Sequence, residues 1–257
     1  MGANAQTKVP TFASAEVLTA ANQNLLSNGI PVFSGTATRD AAFGGSGEKT
    51  LAEGQFAFLE DSNSTQFYDG SSWQSVGITP ALTIVAPTTT ANTGGTVTVS
   101  GGRVTVAGSS SVSLNGVFTS TYHNYVILFD TVELSVASSV SIGLRLRAAG
   151  SDTSTSTYYA GQIYGTYLGS AGGSANNGVA QFPILTAQST KRQMAKIEVF
   201  SPQAATITTI HSLGIAFDAQ SNYAGYQDGA TQYDGFTLFV ASQNFSGNIT
   251  VYAYQKS

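Results

Sequence analysis

From residue 96 onward the chain alternates apolar and polar positions at a period of two, in short runs separated by Gly, Ser and Asn. That period belongs to half-buried strands, because successive side chains of a strand point to opposite faces. Thr96 to Ser100 (TVTVS) and Arg103 to Ala107 (RVTVA) flank Gly101-Gly102. Alternation on both sides of a Gly pair predicts a tight hairpin, whose turn needs positive φ. Further strands are predicted over Ser111 to Leu114, Tyr125 to Asp130, Val140 to Arg147, Thr157 to Tyr164, Val179 to Leu185, Met194 to Phe200, Ala205 to Ile210, Leu213 to Phe217, Gly235 to Ala241 and Asn248 to Tyr254. Ile142, Leu144 and Leu146 alternate with Gly143, Arg145 and Arg147, which gives that strand one buried and one polar face. Val126 to Phe129 is continuously apolar, the pattern of a strand covered on both faces. Strands at roughly a dozen residues' spacing, with polar turns between them, predict an antiparallel sandwich or jelly roll. No short repeat recurs, which argues against a solenoid or propeller.

The first 76 residues read differently. Ser14 is placed as an N-cap, and Val17, Leu18, Ala21, Leu25 and Leu26 fall on one helical face. Asn28-Gly29 supplies the left-handed stop, and Pro31 blocks continuation. A helix of about 14 residues is marginal alone in water, so it is expected to dock. Its partner is a bundle of its own copies, its own domain or another protein. Ile30 to Phe33 then reads as extended, and Thr38 to Ala42 as a helical turn capped by Thr38. Gln55 to Glu60, Thr65 to Tyr68 and Ser72 to Val76 read as a small meander, with Asp61 to Ser64 and Asp69-Gly70 as turns. Trp73 is expected to pack in a core or between chains. Residues 77–95, with Pro80, Pro87 and Thr88-Thr89-Thr90, read as a linker in which Leu82 to Val85 has the pattern of one strand. The expected organisation is an anchoring module over 1–76, a linker over 77–95 and a β-sandwich over 96–257. The expected fold class is mainly β: a short N-terminal helix and small β meander, followed by an antiparallel, jelly-roll-like β-sandwich.

Composition narrows the function. Only 9% of residues are charged, where an ordinary soluble domain carries about a quarter. Hydroxyls and amides must therefore wet the surface, which favours a structural or binding protein over a metabolic enzyme. The net charge is −4, and the longest basic cluster is Lys191-Arg192 with Lys196, so no nucleic-acid partner is expected. The absence of cysteine removes disulfides and thiolate metal sites. The first ten residues carry no secretion signal, and no run approaches the roughly 18 apolar residues of a membrane helix. No membrane insertion is expected.

The inventory for catalysis is thin. His123 and His211 are the only histidines, and neither accompanies a nucleophile elbow. Glu60-Asp61 and Asp130 with Glu133 read as turn and strand-end carboxylates. The richest segment is Phe217 to Phe236 (FDAQSNYAGYQDGATQYDGF), read as a turn-rich loop. Tyr223, Tyr226, Asp228, Tyr233 and Asp234 there are candidate glycan ligands, since phenol rings stack on sugars while amides and carboxylates bond hydroxyls. Tyr164 and Tyr167 are candidates in a second region, Tyr158 to Asn177, which ends in a Gly/Ser/Asn-rich loop. The competing reading makes Phe217 to Phe236 a polar loop with its tyrosines packed at a subunit interface. Calcium suits oxygen-rich loops, but the spacing is not that of an EF-hand. No catalytic residue, metal or cofactor is expected.

Several segments are similar to those of tailed-bacteriophage virion proteins. Val17 to Ala21 (VLTAA), the helix to Gly29, Ile30-Pro31-Val32-Phe33, Glu53 to Ala57 (EGQFA) and Phe67 to Trp73 (FYDGSSW) resemble the N-terminal module of phage tail-associated and fibre proteins. Phe118 to Tyr125 (FTSTYHNY), Leu144 to Gly150 (LRLRAAG) and Phe245 to Tyr254 (FSGNITVYAY) resemble a fibre or head-fibre domain. The resemblance implies a homotrimeric virion appendage assembled in the host cytoplasm. Val17, Leu18, Leu25 and Leu26 would contact other copies or other virion proteins, and the distal sandwich would meet host-surface glycans. A tail fibre or spike is the first expectation. A capsid decoration or head-fibre protein is the alternative, followed by a polysaccharide depolymerase and a secreted lectin.

Overall fold

The computed structural model describes residues 15, 17, 19, 29–43, 49–77, 81–187, 191–216 and 218–255. The predicted helix, with Leu18, Leu25 and Leu26, lies outside them; Val17 lies within them and is exposed. The chain divides into two units, Met1–Thr79 and Pro80–Ser257. Among the described residues no helix is long and apolar enough to cross a membrane.

In the first unit, β1 (Val32–Phe33), β2 (Phe56–Leu59), β3 (Ser64–Tyr68) and β4 (Trp73–Ser75) form one sheet in that order. β1 runs parallel to β2, and the rest is the expected antiparallel meander. The turn between β3 and β4 is built by Asp69, whose carboxylate accepts from the backbone N–H groups of Ser72 (2.7 Å) and Ser71 (2.8 Å). Those bonds hold the Asp69 carboxyl well below the usual carboxylate range. The helical turn is α1 (Thr36–Asp40). It starts two residues earlier than expected, with Gly35 at the cap. Thr38 therefore sits inside it, its hydroxyl paired with that of Ser34 at 2.8 Å. Trp73 packs in this unit's own core, against Phe33, Ala42, Ala57 and Leu59.

The second unit is a sandwich of two antiparallel sheets. The larger runs in the order β14 (Ala171–Val179), β13 (Tyr158–Thr166), β18 (Ala219–Gln227), β17 (Thr208–Ile215), β16 (Gln193–Phe200), β10 (Asn124–Leu134), β20 (Phe245–Tyr254), β8 (Arg103–Ser109), β7 (Thr96–Ser100). The short β5 (Leu82–Ile84) also pairs with β20. The smaller sheet runs β12 (Ser151–Asp152), β11 (Val140–Ala148), β19 (Gly235–Val240), β9 (Ser111–Asn115), β6 (Thr89–Thr93), and β15 (Phe182–Ala187) pairs with β11. Inward side chains of both sheets, such as Ile127, Val199, Leu144 and Phe236, form one core. The β7–β8 hairpin turns on Gly101 and Gly102, with φ of 56° and 82°, as its sequence requires.

The centre of the large sheet is longer than its pattern suggests. In β10, Tyr125, Ile127 and Phe129 point inward, yet so do Val132 and Leu134, which have the opposite parity. A bulge between them shifts the register against both β16 and β20, and Thr131 there has φ of 51°. The extra residue returns the apolar positions to the core.

Four expectations are corrected here. Residues 81–95 are not simply a linker: β5 falls where Leu82 to Val85 has the pattern of a strand, and β6 is a further strand that the sequence does not predict. β6 (TTANT) has no apolar alternation and is held as an edge by backbone pairing to β9 and by Asn115 Nδ2 donating to Thr89 Oγ1 at 3.0 Å. The two strands expected over Ala205 to Ile210 and Leu213 to Phe217 are one strand, β17. The polar pair His211-Ser212 does not break it, since His211 faces outward and Ser212 Oγ donates inward to the Ile184 carbonyl at 2.7 Å. The strand expected over Val179 to Leu185 is present but starts later, as β15, because residues 180–181 turn the chain out of the end of β14. Finally, β14 and β18 occupy segments that read as loops, with consequences for the site.

Candidate functional site

β18 runs through the first half of the segment read as a turn-rich loop. It is paired along its whole length with β13 on one side and β17 on the other. Alternation therefore divides its residues between the two faces of the sheet. Tyr223 points inward and is buried, its hydroxyl 3.0 Å from that of Thr186 on β15. Burial pushes this phenol up from its ordinary value, so it stays protonated as a hydrogen-bonding group. Tyr226 points outward and stacks on Tyr159 of β13, with ring centroids 5.0 Å apart and planes 18° from parallel. Tyr233 is a core residue that donates to Gln227 Oε1 at 2.7 Å. As ligand-facing residues, Tyr223 and Tyr233 are corrected: neither ring has a free face, because both fill the sandwich core.

The carboxylates do not converge either. Asp228 is exposed just past β18, its backbone N–H bonded to the Thr157 carbonyl. Asp234 is half-buried and its Oδ2 accepts from the Ala149 N–H at 3.1 Å. Among the described residues no group of three or more His, Asp or Glu is gathered as a cation would need. Tyr167 is exposed at the tip of the β13–β14 hairpin, where its N–H bonds the Asp218 carbonyl.

Tyr164 is the exception. On β13 the inward positions are Tyr158, Ala160, Gln162, Tyr164 and Thr166, at the strand period of two. Tyr158 and Ala160 are covered by the core. Past the Tyr223–Thr186 contact the inner face opens, and Tyr164 is 37% exposed. A recess of about 200 Å³ forms there, lined by Gln162, Tyr164, Thr166, Thr186, Gln220 and Ser221 over an alanine floor of Ala216 and Ala219. Gln162 Oε1 accepts from Ser174 Oγ at 2.8 Å, which fixes the amide. Among the described residues no charged side chain lines the recess. Its volume is below the roughly 300–1,000 Å³ of a drug-sized pocket, so it suits a single small polar group.

Sequence reasoning missed Gln162 and Thr186, while Tyr159 falls in the second region it singled out, Tyr158 to Asn177. The signal for the first was present: Gln162 and Tyr164 are two apart in a strand, so they share a face. Thr186 carried no local signal, since only the packing of β15 across β13 and β18 brings it there.

A second recess of about 790 Å³ lies in the first unit, lined in part by Arg39, Phe43, Tyr68 and Trp73. Arg39 is buried there with its guanidinium 4.7 Å from the Trp73 ring centroid and paired with Asp40 at 2.6 Å. Its charge is met within the module.

The outer face of the large sheet carries a polar ladder. His211 Nδ1 lies 3.1 Å from Glu198 Oε2, and Nε2 lies 3.1 Å from Asn222 Oδ1. Lys196 Nζ is 3.0 Å from Glu198 Oε1, and Tyr254 donates to the same oxygen at 3.2 Å. Hydrogen bonds from Lys196, then His211 and Tyr254, hold the Glu198 carboxyl below its usual range against the opposing effect of burial. His123 is exposed in the loop before β10, and its carbonyl accepts from the Ser201 N–H.

No family model and no curated protein sequence matches the chain. Two solved structures are similar at a low level. One is the CBM2 module of the evolved Dit of Lactobacillus casei BL23 phage J-1, at 9% identity and a TM-score of 0.25, covering 71% of this chain and 94% of that one. The other is the carbohydrate recognition domain of Emp47p, at 10% identity and a TM-score of 0.24, covering 68% of this chain and 89% of that one. Likeness at these levels carries no argument about what this chain does.

Proposed function

We propose that the chain is a bacteriophage virion protein of the tail fibre or spike kind, whose β-sandwich recognises a neutral glycan on the host surface. The virion part rests on the sequence resemblance and on the low charge of the chain. The glycan part rests on one observation, the uncharged recess at the open end of the sandwich, with the Tyr164 ring beside the hydroxyls of Thr166, Thr186 and Ser221 and the amide of Gln162. A pyranose has an apolar face and a rim of hydroxyls. A ring with adjacent donors and acceptors matches both. In this reading the protein assembles with its own copies and with other virion proteins through the first unit. It does no chemistry on the glycan and needs no cofactor.

The test is calorimetric titration of the full chain with glucose, galactose, rhamnose and N-acetylglucosamine. At least one sugar is expected to bind, and Tyr164→Ala to weaken it by about two- to tenfold, the worth of one aromatic contact. Equal binding by Tyr164→Ala, or no binding by the parent chain, contradicts the assignment.

A further inference from the structure

The same strand pair that lines the recess has an opposite face, and that face is built for a ligand too. Tyr159 and Tyr226 are cross-strand partners standing on the outside of the sheet. Gly225 brings them together: a Cβ there would collide with the Tyr159 carbonyl oxygen, so only glycine permits this approach of β18 to β13. Beside the stacked rings the next row across the strands is Ala175, Gly161 and Ala224, one small residue from each of β14, β13 and β18. The row continues to His211 on β17, whose ring is fixed by Glu198 and Asn222.

Three small residues in one row leave a trough of about 290 Å³. The tyrosine pair forms one wall, and Asn176 and Asn177 line it as well. With neighbouring strands near 4.8 Å apart, its floor runs roughly 10 Å across the sheet. Among the described residues no charged side chain lines it. The phenol groups of Tyr159 and Tyr226 and the side-chain amide of Asn177 make no hydrogen bond to the described residues, whereas Asn176, paired with the inward-facing Ala160, turns its side chain to the other face of the sheet. A flat-floored, open, uncharged trough with an aromatic wall and a free amide differs from the recess. The recess takes one group end-on, whereas the trough has room for a chain to lie along it.

We propose that this trough is a second carbohydrate site, which takes internal units of a neutral linear polysaccharide. The inference rests on the reading of the sandwich as a glycan binder and adds the form of the ligand. The two sites lie on opposite faces of β13 and β18, so one polymer-coated surface engages the domain twice and gains by avidity.

Gly161 makes the test clean. Its backbone is not in the left-handed region, and a Cβ there meets nothing closer than the Ala224 carbonyl at 4.0 Å. Gly161→Leu therefore fills the trough without disturbing the fold, and an unchanged melting temperature checks this. The parent chain, Gly161→Leu, Tyr226→Ala and Tyr164→Ala are run by affinity electrophoresis through dextran, yeast mannan and laminarin, and titrated with the four monosaccharides. The expected result is retardation of the parent by at least one polymer, lost in Gly161→Leu and weakened about two- to tenfold in Tyr226→Ala, with monosaccharide binding unchanged in both. Polymer binding equal to the parent's in Gly161→Leu and Tyr226→Ala overturns the trough. So does binding of monosaccharides but no polymer, which leaves the recess standing. Polymer binding lost in Gly161→Leu, with no effect of Tyr164→Ala on any sugar, supports the trough and overturns the recess. A parent chain that binds neither polymer nor monosaccharide overturns both.

Discussion

The centre of the large sheet and its β14–β13–β18 flank are made of the same secondary structure for different ends. At the centre, β16, β10 and β20 present Ile127, Val199, Ile197, Ile249 and Val251 to the core, all buried. On the flank, β13 and β14 are rich in Gly, Ala, Ser, Asn and Tyr, with Ile163 74% exposed. Strand formation at the centre is driven by burial of β-branched side chains. On the flank it is driven by backbone pairing to strands already in place. Beyond Tyr158, Ala160 and Tyr223, which join the core, the flank contributes little apolar burial, and so it leaves surface exposed on both faces.

The comparison breaks most sharply on matched isoleucines. Ile127→Ala is expected to cost about 2–5 kcal/mol in urea unfolding, because it leaves a cavity. Ile163→Ala, on the outer face of the flank, should change stability by no more than about 0.5 kcal/mol. Similar losses at both positions would make the flank part of the core. A middle-sized effect is expected at Gly225→Ala, where the new methyl forces β13 and β18 apart. About 1–3 kcal/mol is the usual cost of such crowding, and amide exchange should quicken in those two strands while β10 and β20 stay protected. Uniform quickening would show that the flank and centre unfold together.

How much of this was legible follows the same division. The central strands announced themselves through period-two apolar residues, and Gly101-Gly102 announced the hairpin. β6 and β14 did not, since TTANT and AGGSANNGV have no apolar side to alternate. Both are edge strands, and an edge needs only partner backbone and a surface that discourages further pairing. β18 was misread for a related reason: Asn222, Gly225 and the tyrosines mimic turn chemistry, while its two neighbours come from distant sequence. That misreading gathered Tyr223, Tyr226 and Tyr233 into one site. The strand instead puts the first inside and the second outside, and the third lies in the core beyond it. Tyr164 lies on a strand that the sequence does predict, and Gln162 follows on the same face by counting two.

The smallest effect sharpens the boundary between the two regions. Glu198 lies on β16 at the centre, and His211 on β17 links it to Asn222 of the flank. The folded Glu198 carboxyl is held below its ordinary value. Its contribution is therefore fully present above the ordinary carboxylate range and is lost as pH falls through the lower folded value. The pair is partly exposed, so the contribution should stay below about 1 kcal/mol. Glu198→Gln should lower the neutral plateau by that small amount and converge with the parent in acid, which flattens the acid limb of the stability–pH curve. An acid limb identical in the variant would remove this ladder from the account.

The central claim is that the open end of the sandwich, at Tyr164, receives a neutral sugar. Amide chemical-shift mapping of the full chain, titrated with the same four monosaccharides, tests it most directly. The account predicts saturable shifts concentrated at Gln162, Tyr164, Thr186 and Ser221, with residues at the β10–β20 centre unmoved. Shifts confined to other surfaces, or none with any of the four sugars, would contradict it.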